Sequence, residues 1–196
     1  SVLLTNSLND TKSALPANFN VERCVQNAVA LMNGNDNLQK YAKTYGAQPI
    51  IAGLRRGAYL GLDALNTEFH LIPFGSNLQF IIDVRGAQKL MLLYSAKPIR
   101  SIDANVVRVG DTYLSWNEDG IWHYTFKRES FNDATIKGAY CVVNFEDGTR
   151  VIEEMSVADI ENTRKKSKMP NGMAWKDFTS EMYRKTVLRR LCKHIE

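Results

Sequence analysis

The spacing of apolar and polar positions changes along the chain, and the changes mark out its elements. Residues 1–15 are small and polar around Asn9-Asp10-Thr11-Lys12-Ser13 and are expected as a mobile leader. After Pro16, Asn20 stands where a helix cap belongs, and Val21, Val25, Val29 and Met32 recur at helical spacing through about Asn33. Gly34-Asn35-Asp36-Asn37 interrupts that period, and Leu38 to Tyr45 predicts a short helix. A third helix starts at Gln48-Pro49, with proline in its first turn, and runs to about Gly61. From Asn66 the period shortens to two. Phe69, Leu71 and Pro73 alternate with His70 and Ile72, Gly75-Ser76-Asn77 turns, and Leu78 to Ile82 returns as the second strand of a hairpin.

Arg85 to Tyr94 predicts a helix with Ala87, Leu90, Met91 and Tyr94 facing inward. Ile99 to Val109, Thr112 to Trp116 and Ile121 to Phe126 then read as strands of an antiparallel meander, turned by Gly110-Asp111 and Glu118-Asp119-Gly120. Ser130 to Ala134 is a polar loop. Lys137 to Phe145 and Thr149 to Met155 form another hairpin about Asp147-Gly148. Ser156 with Asp159 has the form of a capping box that opens a helix to about Lys166. Met169-Pro170-Asn171-Gly172 links it to a last segment that is free of Gly and Pro from Ala174 onward, which permits one long helix. Strands grouped in runs, rather than alternating with helices, predict an α+β fold: N-terminal helices, a hairpin, a central helix, an antiparallel meander and two C-terminal helices. The expected organisation is one domain over 16–196 whose first part, about 16–64, is a helical lobe.

The last segment has two characters. Trp175, Phe178 and Met182 make an apolar start. Past Tyr183, Lys185, Arg189 and Lys193 fall at i, i+4 and i+8 as a cationic stripe, while Val187, Leu188, Leu191, Cys192 and Ile195 centre on the opposite side. Such a stripe is either a solvated face or a contact for a polyanion. Charge distribution bears on the choice. The net charge is only +4, but from Arg164 onward 10 Lys and Arg stand against 3 acids, a concentration that suits an anionic partner. Arg85, Lys89, Lys97, Arg100 and Arg108 surround the central helix and the strand after it, and Arg164, Lys165, Lys166 and Lys168 close the penultimate helix. The second group also suits a helix C-terminus through the dipole.

Other chemistry is thinly represented. The sequence has no GxxxxGK[ST] phosphate loop, no GxGxxG, no GxSxG and no CxxC pair. His70, His123 and His194 stand in unrelated contexts, and Cys24, Cys141 and Cys192 read as small buried hydrophobes in a reducing compartment. Asp83, Asp103 and Asp111 sit at strand ends, where turns recruit aspartate; convergence of such acids would be needed for a two-metal nuclease. Tyr113, Trp116, Trp122 and Tyr124 can serve either as core or as platforms for stacking bases. No apolar run reaches the length of a membrane span, and the expected setting is intracellular and soluble.

Leu71-Ile72-Pro73-Phe74-Gly75, then Leu78-Gln79-Phe80-Ile81-Ile82, then Arg85-Gly86 at a helix start, resembles a characteristic block of the RecT family. Gly110-Asp111, Lys137-Gly138-Ala139-Tyr140, Met155-Ser156 and the run from Met182 to Cys192 resemble its later blocks in the same order, over about Leu15 to the end. The resemblance implies a phage or prophage single-strand annealing protein, related to the phage λ beta protein and working without ATP or another cofactor. It implies no catalytic centre, assembly of copies into rings or helical filaments, and a basic groove for single-stranded DNA and the annealed duplex intermediate. The partners implied are a phage exonuclease and the host single-strand binding protein, in the cytoplasm of a bacterial cell. Arg85, Lys89, Arg100, Lys185 and Arg189 are the first groove candidates, followed by Arg164 and Lys165, while Arg190 is a candidate for pairing with an acid. Two departures stand out. Asp83-Val84 precedes Arg85-Gly86 where the family commonly has Gly-Tyr, and the sequence is short after Arg189-Arg190 where the family continues into a tail. A passive single-strand binding protein and a metal-dependent nuclease are the competing readings.

Overall fold

A computed structural model describes residues 1–195, and the chain divides into two compact units, Ser1–Leu90 and Met91–Glu196. The α+β class holds, with helices at both ends and antiparallel strands between them.

The first unit begins with helix α1 (Val2–Asp10), a short 3₁₀ turn and helices α2 (Val21–Asn33), α3 (Asp36–Tyr45) and α4 (Gln48–Tyr59). The starts follow from the sequence. Asn20 accepts a hydrogen bond from the Arg23 amide at 2.8 Å, and Asn35 accepts one from the Leu38 amide at 3.0 Å, each filling an orphan position in a first turn. Strands β1 (Phe69–Phe74) and β2 (Asn77–Ile82) then form the expected antiparallel hairpin. Its core joins Leu38, Tyr41, Ile50, Leu54, Ala58, Phe69 and Leu71, with Phe69 stacked on Phe80 at 4.8 Å. Leu4 and Leu8 belong to the same core, and Leu8 is fully buried. Residues 1–15 therefore contain a packed helix where a mobile leader is expected. The pair Leu4 and Leu8, one helical turn apart, outweighs the polar run from Asn9 to Ser13.

Helix α5 (Val84–Tyr94) carries the boundary between the units. A side chain at Gly86 would place its Cβ 2.1 Å from the Glu68 carbonyl oxygen, so only glycine lets α5 start this close to the chain entering β1. Met91 is buried as expected, but Tyr94 is 57% exposed. The inward stripe ends one turn before the helix does.

The second unit is built on strands β3 (Ile99–Arg108), β6 (Ile136–Phe145) and β7 (Arg150–Ser156), in the order β3-β6-β7. Strands β4 (Thr112–Glu118) and β5 (Ile121–Lys127) pair with each other as a separate hairpin. The simple meander is thus interrupted: β3 pairs with β6 across the intervening hairpin. The physical reason lies in β6, where Gly138 to Val143 are all buried. A strand apolar on both faces needs a neighbour on each edge and a layer above and below it. The hairpin supplies one layer, as Tyr113 stacks on Tyr140 at 4.5 Å and Phe126 meets it edge-on at 5.2 Å. Helices α6 (Val157–Lys165) and α8 (Thr179–Leu191) supply the other, with Ile160, Val187 and Leu191 fully buried. The capping box at α6 is present, the Ser156 hydroxyl donating to Asp159 at 2.6 Å and accepting from its amide at 3.2 Å.

Replacing Leu8 with Ala is expected to lower unfolding free energy by about 2–5 kcal/mol through the lost burial and the cavity left behind. Urea denaturation reads this directly, and unchanged stability would put α1 outside the core.

Candidate nucleic-acid interface

The final segment is two helices rather than one. Short helix α7 (Met173–Asp177) ends at Phe178, whose φ of −122° and ψ of 41° are not helical, and α8 begins at Thr179. The break separates the two characters of the sequence. Trp175 is buried before it, and Phe178 is 58% exposed at it. Beyond it, Tyr183, Val187, Leu188 and Leu191 are buried in the second unit. Arg189 on α8 and Lys193 in the 3₁₀ turn after it are exposed and Lys185 is half-buried, whereas Val187, Leu188 and Leu191 are buried. Arg190 pairs with Glu153 of β7 at 2.8 Å, and His194 approaches the same carboxylate at 3.6 Å. Glu153 is directly across from Cys141 in the sheet and only 15% exposed in its side chain, so Arg190 fixes the helix to the sheet. This is the acid partner anticipated for Arg190.

The other expected contacts divide by how far the fold already occupies them. Arg100 is exposed: the register slips between Ile99 and Ser101, leaving Arg100 opposite no residue of β6 and turned to solvent. Lys165 is exposed in the last turn of α6. Arg164 beside it is half-buried, donating to the Pro170 carbonyl at 2.6 Å, pairing with Glu161 at 3.3 Å and lying 5.7 Å over the Trp175 ring. Glu161 also accepts from the Tyr183 hydroxyl at 2.9 Å, which ties the end of α6 to the start of α8. Arg108 is likewise structural, reaching the Ala134 carbonyl at 2.7 Å and Ser180 at 2.9 Å. In the first unit, Arg85 and Lys89 lie one turn apart on α5 and both turn toward one segment. Arg85 donates to Thr67 at 3.3 Å, and Lys89 pairs with Glu68 at 2.9 Å.

The acids weighed as metal ligands each have local work. Asp83 faces His70 at 3.4 Å, and Asp103 accepts from Ser101 at 3.0 Å and Asn144 at 3.2 Å. Partial burial alone would raise the Asp111 carboxyl, but amide hydrogens of Arg108 and Glu129, the Asn132 side chain and the Arg128 charge together hold it below the usual carboxylate range. Among the described residues no three His, Cys, Asp or Glu side chains gather where a metal ion would fit. Burial pushes the Cys141 thiol up to about 12, and burial with the nearby Asp63 charge pushes Cys24 up to about 11. Both are poor nucleophiles.

The four aromatics of the β4–β5 hairpin split between the alternatives. Tyr113 and Tyr124 pack on Tyr140, while Trp116 is 44% and Trp122 40% exposed. Trp116 stacks on His123 across the hairpin at 5.3 Å. That pairing was missed in the sequence, although the strict alternation Tyr113, Leu114, Ser115, Trp116 already sets Trp116 on the face opposite Tyr113.

Comparison with known proteins gives these elements a common origin. The model of the RecT family matches residues 22–196. The chain belongs to the RecT family. Protein RecT of Escherichia coli (strain K12) is 30% identical over 197 residues, covering 93% of this chain and 69% of that protein. RecT-family membership implies single-strand annealing in DNA recombination and the binding of single-stranded DNA. The family blocks now have places: Leu71 to Ile82 is the β1–β2 hairpin, Arg85-Gly86 opens α5, Lys137 to Tyr140 enters β6, and Met182 to Leu191 is α8. No helix among the described residues is long and apolar enough to cross a membrane.

Arg164 and Lys165 are adjacent yet should respond differently to substitution. Arg164→Ala is expected to cost about 1–3 kcal/mol of stability, since it removes the donor that Glu161 and the Pro170 carbonyl share. Lys165→Ala should stay within about 0.5 kcal/mol. Thermal unfolding of the two variants side by side decides whether Arg164 is a structural residue.

Proposed function

We propose that this chain binds single-stranded DNA through phosphate contacts and anneals complementary strands during recombination, without ATP and as an assembly of copies. The observation that carries the reading is the RecT match over residues 22–196, which includes a helix packed on one side and cationic on the other. The sequence has no phosphate loop for ATP, and the proposed task requires none. Two strands of like charge repel, so the protein must neutralise phosphates while leaving base edges free to find their complements. Positive side chains held by rigid elements meet that requirement. Lys185 and Arg189 on α8, Lys165 at the end of α6 and Arg100 at the β3 bulge are the contacts proposed for the second unit, and Arg85 with Lys89 for the first. Arg164 acts mainly by holding the Pro170 turn and α6. Repetition of these contacts along an oligomer would raise the local concentration of paired sites. A processive exonuclease that exposes single strands and the single-strand binding protein that coats them are the proposed partners, in the cytoplasm of a bacterial cell.

The double variant Lys185→Ala, Arg189→Ala is expected to weaken binding to an oligothymidylate. It should also reduce the slope of log affinity against log salt by about 0.7 for each phosphate that is no longer neutralised. Mixing complementary labelled strands provides the functional test: the wild-type chain should accelerate pairing, whereas a passive coating protein would slow it. A folded double variant with unchanged salt slope and unchanged annealing removes α8 from the DNA contact. Loss of labelled DNA on addition of magnesium would instead favour a nuclease.

A further inference from the structure

The loop from Arg128 to Ala134 carries a feature that the DNA reading does not use. Phe131 is 98% exposed and sits at a φ of +54°, a conformation that side chains other than glycine rarely adopt. An exposed aromatic in such a backbone would ordinarily belong to a floppy turn. This turn is pinned from both sides. Asn132, only 9% exposed, donates to the Val109 carbonyl and to Asp111, both at 2.9 Å. Asp111 also accepts from the Glu129 amide at 3.0 Å and the Arg108 amide at 2.8 Å. Arg108 in turn holds the Ala134 carbonyl at 2.7 Å. Gly110, at φ +98°, makes room for the arrangement, because a Cβ there would lie 2.2 Å from the Glu129 carboxylate. The network fixes the loop to the end of β3 and leaves a single large apolar side chain standing in solvent.

A rigid aromatic that is almost wholly exposed has the properties of an interface anchor: large apolar area and little ordering entropy left to lose. The loop's charges indicate what it meets. Lys127 and Arg128 are balanced by Glu129 and Asp133, so Phe131 stands in a neutral setting with no excess of cations for phosphates. A matching cavity exists on the first unit. Between α3 and the β1–β2 turn lies an open cleft of about 430 Å³, lined by Tyr45, Ile72, Pro73 and Gly75 and also by the polar Asn37, Lys40 and Thr44 of α3. Tyr45 is 49% and Ile72 36% exposed there. The cleft is also held in shape, since the Tyr41 hydroxyl donates to the Ser76 carbonyl at 2.7 Å. Lys40 lines its rim, with exposed Lys43 on the same helix, which complements Asp133 beside Phe131.

We infer that Phe131 of one copy seats in the Tyr45–Ile72–Pro73 cleft of a second copy of this chain, with Asp133 set against the Lys40 rim. The inference rests on the proposed assembly of copies. Knob and cleft are different surfaces, so each copy offers one of each and the contact is head-to-tail. Repeated, it closes into a ring or continues as a helix, depending on the rotation between copies.

Mass photometry and sedimentation velocity of the 196-residue chain test this, with circular dichroism as the check on folding. Phe131→Ala should raise the concentration at half-assembly about thirtyfold, and Tyr45→Ala should act similarly. Mixing the two variants is the discriminating arm. Phe131→Ala keeps its cleft and Tyr45→Ala keeps its knob, so the mixture should form dimers that grow no further. An independent arm keeps the knob and the cleft and pairs Ser130→Cys with Thr44→Cys in separate chains, and oxidation should link the two variants faster than either links to itself. Assembly of Phe131→Ala equal to that of wild type, or no cross-link in the mixed sample, overturns the knob and cleft while leaving assembly intact. A wild-type chain that stays monomeric at every concentration, with and without oligothymidylate, overturns the assembly reading itself and this contact with it.

Discussion

Burial of β6 on both faces is the constraint on which the second unit depends. Gly138 to Val143 are all inaccessible, and Cys141, Val142 and Val143 are completely so. A strand of this kind is stable only as the middle of a sandwich of layers. Its alternate residues divide the work: Tyr140 and Val142 take the β4–β5 hairpin, while Cys141 and Val143 lie on the face covered by helices. Once α8 must cover the second face with Val187, Leu188 and Leu191, the helical period leaves Lys185 and Arg189 no place but the other side. The position of the cationic stripe is thus a consequence of packing.

The same packing takes up several cations of the second unit in holding its elements together. Arg190 reaches inward to a largely buried Glu153, Arg164 is enclosed by Pro170, Glu161 and Trp175, and Arg108 bridges Ala134 and Ser180. Arg164 anchors α6 beside the exposed Lys165, and Arg190, its own side chain 52% exposed, anchors α8 beside the exposed Arg189. A guanidinium that makes several fixed hydrogen bonds is well suited to the first role, because its planar fork is preorganised for them. Conversely, a phosphate contact needs little more than a cation held near a rigid surface. Arg164 and Lys165 therefore differ in how far the fold encloses them, although they look alike in sequence.

Much of the architecture was legible in the one-dimensional pattern. The hairpin from Phe69 to Ile82, the α5 helix, the capping box at Ser156 and the paired strands about Asp147-Gly148 all rest on local signals: period, turn residues and caps. The pairing of β3 with β6 was not legible, because hydrogen bonding between residues as far apart as Ile99 and Phe145 leaves no trace in local spacing. The break at Phe178 was hidden for a related reason. No Gly or Pro marks it, and it becomes necessary only because Trp175 and the later apolar stripe must both be buried. Helix α1 was concealed by the polar run that follows Leu8.

By itself, then, the sequence determined the α+β class, the order of the elements, the cationic stripe on the last helix and the ordered blocks of the RecT family. Those properties are carried by neighbours along the chain, where periodicity and turn chemistry operate. The tertiary structure alone decided that Arg108, Arg164 and Arg190 hold elements together, which aromatics of the β4–β5 hairpin are core, and that Phe131 stands exposed on a pinned loop. Each of those depends on what another segment brings within hydrogen-bonding or packing distance. Distance in space is the quantity that a linear pattern does not contain.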